Sequence, residues 1–130
     1  MIDHTGVTVS GFARSEAFYA AALGAIGYRK LLELGPEITQ SPRTAGFGEP
    51  PKPDFWFTEG TPNRPAVHVA FRVSARALVR AFHAAALAAG GTCNGPPGIR
   101  AHYHPNYYGA FVHCPDGHNI EAVCHEPEDH

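Results

Sequence analysis

The chain has 130 residues, a formal net charge of −2 at pH 7 and no dense run of Lys or Arg. These values favour one domain, residues 1–130, with a buried core, and they argue against a nucleic-acid or anionic membrane partner. No stretch approaches the ~18 apolar residues of a membrane span and the N-terminus lacks a targeting pattern, so we expect a cytoplasmic protein. Three cysteines without a C-x-x-C pair favour reduced thiols over a disulfide framework.

An internal repeat organises the sequence. When it is shifted by 64 positions, HTGVTVSGFARSEAFYAAALGAIG, from His4, aligns without a gap with HVAFRVSARALVRAFHAAALAAGG, from His68, and 12 of the 24 residues are identical. The repeat predicts two similar modules, about 1–63 and about 64–130.

Each module opens with a segment of strand period. The histidine lies opposite the apolar row in both segments, His4 in the first and His68 in the second. The apolar rows are Val7 with Val9 and Val69 with Phe71 and Val73.

A helix follows in each module. We expect it to begin near Arg14 in module one and after Ser74, a candidate N-cap, in module two. The second helix has an apolar stripe and ends at Gly90-Gly91. The stripe consists of Leu78, Val79, Phe82 and Ala86.

Three more strands per module are predicted from short segments rich in strand-forming residues. They are YRKLLEL, TAGFG and DFWFTEG in module one, and GTC, YYGAFVHC and NIEAVCH in module two. The segment NGPPGIRAHYHPN is predicted to be a long loop. The result is an α+β fold of two β-α-β-β-β modules that form one curved mixed sheet around a cup, with the helices on the outside.

Nine histidines direct attention to metal or proton chemistry. His4 and His68 are equivalent in the repeat, and alternation in NIEAVCH allows Glu121 to point into the same cup. Two imidazoles and a carboxylate could then hold a divalent ion such as Zn, Ni, Mn or Fe, with positions left open for a substrate. Taken singly, each of the three could equally be a hydrogen-bonded or solvated residue.

The doubled module, the pattern H-x-x-V-x-V-S ahead of AFY, and the closing PDGHNIE resemble the vicinal oxygen chelate superfamily over almost the whole chain. This superfamily groups glyoxalases, bleomycin resistance proteins, fosfomycin resistance enzymes and extradiol dioxygenases. The resemblance implies that His4, His68 and Glu121 hold a divalent metal. It also implies a homodimer that can exchange modules, with His4 of one chain beside His68 and Glu121 of the other.

The sequence departs from three subfamily patterns. Glyoxalase I enzymes generally add a fourth ligand from the last strand of the first module, where this chain has Trp56 or Phe57, neither of which can bind a metal; Glu59 is a nearby carboxylate that a shifted strand could present. Fosfomycin resistance enzymes carry a serine and a tyrosine where this chain has Gly109 and Phe111. Extradiol dioxygenases combine a histidine and a tyrosine with the ligand glutamate; His104 fits this pattern, but Phe111 replaces the tyrosine.

Three residues that precede the strand of Glu121 are candidate catalytic groups. Tyr103, His104 and Tyr107 could donate hydrogen bonds to a substrate or act as general acid or base. Packing at the rim of the cup is the alternative for each of them.

Three further residues are candidate substrate contacts. Arg72 lies on the same strand face as His68 and could receive an anionic group, although a surface salt bridge would also explain it. Trp56 and Phe111 could form an apolar wall, or belong to an ordinary core.

Two functions remain open. The first is a divalent-metal-dependent enzyme of the lyase, isomerase or dioxygenase type that acts on a small oxygen-chelating substrate. The alternative is a metal-free small-molecule-binding protein of the bleomycin-resistance type. Metal in the purified protein would distinguish them.

Overall fold

The computed structural model describes residues 1–39 and 42–128. Module one contains β1 (Thr5–Val9), α1 (Phe12–Gly24), β2 (Arg29–Leu34), the short α2 (Pro36–Thr39), β3 (Thr44–Gly48) and β4 (Phe55–Glu59). Module two contains β5 (His68–Arg72), α3 (Arg76–Ala88), β6 (Thr92–Ile99), β7 (Tyr108–His113) and β8 (Asn119–Cys124). The predicted α+β fold of two β-α-β-β-β modules is confirmed, with α2 as an addition to module one.

Each module has its own four-stranded mixed sheet. The strand orders are β1-β4-β3-β2 and β5-β8-β7-β6, with β1 parallel to β4 and β5 parallel to β8. The first strand of each module is an edge strand of its sheet. Within the described residues the two sheets share no strand pairing, so one chain has two sheets where the repeat alone suggested one continuous sheet.

The two modules meet through their apolar faces. The predicted rows are buried together in one core: Val7 and Val9 are at most 4% exposed, and Phe71 and Val73 at most 8%. Helices α1 and α3 contact each other, and the apolar stripe of α3 packs into the same core, as predicted. The faces that carry His4 and His68 therefore point away from this core.

Phe71 connects the modules directly. Its ring lies edge-on to Tyr28, with ring centroids 5.5 Å apart, and to Phe55, with centroids 5.4 Å apart. Since both partners belong to module one and Phe71 to module two, these aromatic contacts hold the modules together.

A buried histidine adds a polar link. The Val67 N–H donates to Nδ1 of His118 at 3.0 Å, so Nδ1 is an acceptor and Nε2 carries the proton. Nε2 donates to the carbonyl oxygen of Thr8 at 2.9 Å. Residues of both modules are thus bridged by a fully buried ring with both nitrogens satisfied.

The helix starts differ from the prediction. The N-cap of α3 is Ala75, without a side-chain hydrogen bond, so the assignment of Ser74 as N-cap was wrong by one residue. Helix α1 begins at Phe12, whose N–H donates to Glu59 Oε2 at 3.2 Å. A carboxylate at the end of β4 thus satisfies one of the free donors at this helix start.

The predicted loop NGPPGIRAHYHPN is in part a strand. Edge strand β6 extends to Ile99, and its pairing with β7 shifts register between Cys93 and Gly95 and again between Gly95 and Gly98. An edge strand tolerates the prolines here because one side needs no ladder hydrogen bonds, and the shifts allow the strand to bend. All three cysteines are free. No helix in the described ranges is long and apolar enough to cross a membrane.

We expect Phe71→Ala to lower the free energy of unfolding by roughly 3–5 kcal/mol, because the cavity would open at the contact between the modules. Chemical denaturation measures this loss. Leu32→Ala is the matched control: Leu32 is 45% exposed, and its truncation should cost less than about 1 kcal/mol. Equal losses in the two variants would contradict the packing described for Phe71.

Candidate functional site

A buried carboxylate lies on the outer face of the second sheet. Strand β8 runs between β5 and β7, and its alternation sends Ile120 and Ala122 into the core while Glu121 faces the other way. Glu121 is nevertheless only 1% exposed. Its Oε1 lies 2.9 Å from His68 Nε2, and its Oε2 accepts a hydrogen bond from the Tyr107 hydroxyl. Each carboxylate oxygen therefore has a partner, as burial of a charged group requires.

The spacing of His68 and Glu121 suits a shared metal ion. Two donor atoms held at about 2.0–2.2 Å from one ion and at roughly right angles lie about 3 Å apart. The separation of 2.9 Å between Nε2 and Oε1 matches this value. The His68 side chain is 51% exposed, so the pair is buried on the carboxylate side and open on the imidazole side. The donor set and its access thus fit a first-row divalent ion.

The absence of a side chain at Gly109 leaves space for the Tyr107 ring beside Glu121. A Cβ at this position would lie 3.1 Å from Tyr107 Cε1 and 3.3 Å from Glu121 Oε2, so a larger residue would force one of these two groups to shift. Burial raises the pKa of Tyr107, and the hydrogen bond to Glu121 raises it further. Tyr107 is therefore a phenol at neutral pH, able to donate a proton in a hydrogen bond but not to act as a phenolate base.

Phe111 and an arginine form the wall beside these groups. Phe111 is the cross-strand partner of Glu121, and its ring centroid lies 6.2 Å from that of His68. The guanidinium carbon of Arg100 lies 5.4 Å from the Phe111 ring centroid. Arg100 follows β6, which pairs with β7 on the side away from β8. The sequence interpretation named Phe111 but missed Arg100.

The other predicted catalytic residues lie at the rim. Tyr103 is 58% exposed and its ring lies 4.7 Å from that of Tyr107. His104 Nδ1 accepts the N–H of Asn106 at 3.1 Å, so its Nε2 carries the proton and donates to His125 Nδ1 at 2.6 Å. Both nitrogens of His104 are thus engaged, whereas Tyr107 alone of the three predicted groups contacts Glu121.

His4 lies on the outer face of the first sheet, in a different setting. Its Nδ1 donates to Asp3 Oδ2 at 2.7 Å, and Lys52 Nζ lies 3.1 Å from Asp3 Oδ1. The hydrogen bond from His4, followed by that from Lys52, lowers the pKa of Asp3. A carboxylate on Nδ1 is the usual partner of a metal-ligating imidazole, because it leaves Nε2 free and fixed in direction.

Trp56 stands beside His4, as a wall of the same open cavity of about 530 Å³. Its ring packs flat over Gly46, where a Cβ would lie 2.8 Å from the ring carbons. Phe47 and Phe55, the neighbouring aromatic residues, are in the core at 1% and 0% exposure. Of this aromatic group only Trp56 can therefore contact a ligand on this face.

One chain brings together two of the three predicted ligands. His68 and Glu121 are in contact, whereas His4 belongs to the other sheet. In the described part of the chain, no group of three His, Cys, Asp or Glu residues could hold a metal ion. The reason is geometric: both sheets turn their apolar faces to one core, so their outer faces point apart.

Arg72 faces a separate cavity between the modules, of about 700 Å³. His125, which contacts His104, lines the same cavity and connects it to the rim of the site. The cavity is lined by Ile26, Tyr28, Glu49, Asp54, Arg72, Val73, Ser74, Leu78, His125 and Glu126.

Sequence reasoning also missed Asp3, His125 and Gly109. The pair Asp3-His4 carries a local signal, since a carboxylate next to a histidine can orient its ring. His125 has no such signal, because its role depends on the fold of the distant segment around His104.

The sequence matches the Glyoxalase/Bleomycin resistance protein/Dioxygenase superfamily over residues 1–122, and the chain belongs to that family. Comparison with curated proteins gives no match. Among solved structures, a glyoxalase/bleomycin resistance protein from Albidiferax ferrireducens is 29% identical, with a TM-score of 0.73, and covers 94% of this chain and 97% of its own.

Two more distant structures share the fold. A glyoxalase I variant from Zea mays is 17% identical, with a TM-score of 0.68, and the match covers 98% of this chain and 45% of that one. A variant of the fosfomycin resistance protein FosX from Listeria monocytogenes, complexed with Mn(II) and 1S,2S-dihydroxypropylphosphonic acid, is 15% identical, with a TM-score of 0.67. That match covers 95% of this chain and 88% of that one.

We expect the phenolate absorbance of Tyr107, measured as wild type minus Tyr107→Phe, to appear only above about pH 10, the ordinary value for tyrosine. Because the pKa of Tyr107 is raised in the folded state, the stability it contributes is present below about pH 10 and is lost as the pH rises further. The Tyr107→Phe protein should therefore lose less unfolding free energy in this range. Tyr103→Phe, which removes the hydroxyl of an exposed tyrosine, is the matched control, and a Tyr107 signal at or below pH 10 would contradict the expectation.

Proposed function

We propose that the protein is a divalent-metal-dependent enzyme of its superfamily that acts on a small substrate with two neighbouring oxygen atoms. The observation that carries this proposal is the buried Glu121 carboxylate, 2.9 Å from a half-exposed imidazole and open to solvent on that side. Burial of a carboxylate on a sheet face costs hydration free energy even when the charge is paired, and a functional role would explain why Glu121 is kept there.

The ligands we propose are His68 and Glu121 of one chain and His4 of a second chain. Zn, Ni, Mn or Fe would suit this set of two imidazoles and one carboxylate. When bound, such an ion supplies Lewis-acid polarisation of the substrate oxygens. The Mn(II) in the FosX complex supports a divalent ion in this fold.

The chain's own residues would then position the substrate and hold a proton. Tyr107 donates a hydrogen bond to Glu121 Oε2 and so orients the carboxylate while remaining neutral. Phe111 and Tyr103 would cover the reacting atoms and exclude water, which strengthens electrostatic interactions in the site. Trp56 would close the opposite wall from the second chain. The reaction would be of the lyase, isomerase or dioxygenase type.

The same geometry supports a homodimer. Each outer face would carry half of a site, with His4 and Trp56 on one and His68 and Glu121 on the other. The first strands of both modules are edge strands of their sheets, a position from which a strand can pair with another chain. An exchange of modules between two chains would join unlike halves and form two complete sites per dimer.

The metal proposal predicts that protein purified without a chelating column carries close to one divalent ion per chain by elemental analysis. His68→Ala and Glu121→Gln should each reduce this content to a small fraction, because each removes a ligand. His83→Ala is the matched control, since His83 contacts Cys93 outside the site and its loss should leave the metal in place. Full metal content in the His68→Ala protein would contradict the proposed ligands, and wild-type protein without metal would favour the metal-free binding protein.

The shared-site proposal predicts complementation between variants. His4→Ala and His68→Ala homodimers should both be nearly free of metal, whereas heterodimers, isolated by two different tags, should bind one ion per dimer. This result follows because one site of the heterodimer receives both intact histidines and the other receives neither. Metal-free heterodimers, or a mass near 13.9 kDa by light scattering at all concentrations, would contradict the shared site.

A further inference from the structure

Arg100 is the charged group of the outer face that neither the sequence interpretation nor the proposed metal site accounts for. Its guanidinium is held by two backbone carbonyls: Nη1 donates to Gly98 at 2.9 Å and Nη2 donates to Pro96 at 2.8 Å. The backbone N–H of Arg100 donates to the carbonyl oxygen of Tyr107 at 2.7 Å, which connects Arg100 to the segment that carries the Tyr107 phenol. The side chain is therefore fixed at both ends.

Two glycines make room for the guanidinium. A Cβ at Gly95 would lie 3.0 Å from Arg100 Nη2 and 3.0 Å from Phe111 Cδ1, and a Cβ at Gly98 would lie 3.2 Å from Nη1. Both glycines occur where the pairing of β6 with β7 shifts register. The bends of β6 thus leave space for the Arg100 guanidinium, and bulges next to functional sites commonly redirect a side chain in this way.

Among the residues that the structure describes, the guanidinium of Arg100 keeps donors without a hydrogen-bond partner. Arginine has five N–H donors, and the two carbonyl bonds use two of them. Because the plane of the group is already fixed, little conformational freedom remains to be lost when a ligand binds. Half-buried beside Phe111, it is positioned for charge-assisted hydrogen bonds to a planar anion.

The position of Arg100 relative to His68 and Glu121 indicates which kind of small molecule could contact all three residues. The Phe111 ring centroid lies 5.4 Å from the Arg100 guanidinium carbon and 6.2 Å from the His68 ring centroid, and the strand order β5-β8-β7-β6 places Phe111, on β7, between the strand of His68 and the strand that leads to Arg100. A molecule bound at His68 and Glu121 would therefore have to extend over the Phe111 ring, about the width of one aromatic ring, to contact Arg100. The nearby carboxylate of Glu121 disfavours a dianion, whereas a single carboxylate matches the single positive charge.

We propose that Arg100 is a specificity-determining residue that selects substrates with a carboxylate about one ring width from the pair of chelating oxygens. This inference rests on the proposed function for the position of the oxygens. A purely structural role would tie down the loop after β6 without any preference for charge in the ligand.

The test uses 3,4-dihydroxybenzoate and its neutral analogue 3,4-dihydroxybenzamide, with binding measured by calorimetry to zinc-loaded and zinc-free protein. The two probes share their vicinal oxygens and ring and differ only in the charged group. Wild-type protein should bind the benzoate about tenfold to a hundredfold more tightly than the amide, the range expected for charge-assisted hydrogen bonds. Arg100→Gln should abolish this preference and leave the affinity for the amide unchanged.

Two more variants make the result specific. Arg100→Lys should keep part of the preference for the benzoate, because lysine retains the positive charge but cannot make a bidentate contact with a carboxylate. Arg29→Gln, on the exposed β2 strand of the other sheet, removes the same charge and should keep the full preference. The proposal is overturned if wild type does not bind the benzoate, if it binds both probes equally, or if Arg100→Gln weakens both probes by the same factor.

Failure of the metal site would be recognised separately. If zinc changes the affinity of neither probe, the proposed function fails, while a persistent preference for the benzoate that depends on Arg100 would still support the anion site. If zinc strengthens both probes but Arg100→Gln retains the preference, the metal site stands and the inference about Arg100 is wrong.

Discussion

The shared core of the two modules is the constraint on which the rest of this structure depends. Both sheets turn their apolar rows towards one another, and the rings of Phe55 and Phe71 meet there across the module boundary. Burial of each such ring is worth about 1.5–3 kcal/mol, far more than a surface hydrogen bond, so this contact decides how the modules are arranged. Its consequence is that the polar faces point apart, so that His4 lies on one outer face of the chain and the pair of His68 and Glu121 on the other.

The second half-site shows how a buried charge is kept in a sheet. Glu121 sits on a central strand and cannot reach water, so its two oxygens must be satisfied by neighbours. His68 and Tyr107 do this, and the missing side chain of Gly109 allows Tyr107 to come close enough. The same arrangement leaves the imidazole half-exposed, so the pair that satisfies the buried charge is also accessible from solvent.

Sequence periodicity predicted the local part of this structure well. The alternation in β1, β5 and β8 and the repeat of His4 and His68 correctly predicted which residues are buried and which lie opposite them. Alternation does not specify how modules meet, because the same pattern is satisfied whether two sheets join along their edges or face each other across a core. Arg100 could not be predicted for another reason: its position depends on two register shifts in β6, and each shift changes which residues face the site.

If the site is shared between two chains, as we propose, assembly and ligand binding are coupled. His4 arrives from a partner with its Nδ1 already held by Asp3, so its direction is set before the chains meet. An ion that contacts residues of both chains binds the dimer more tightly than the separated chains, and by linkage it stabilises the dimer by the same factor. The anion site at Arg100 lies wholly within module two and needs no partner, so affinity for the carboxylate should depend less on protein concentration than affinity for the ion does.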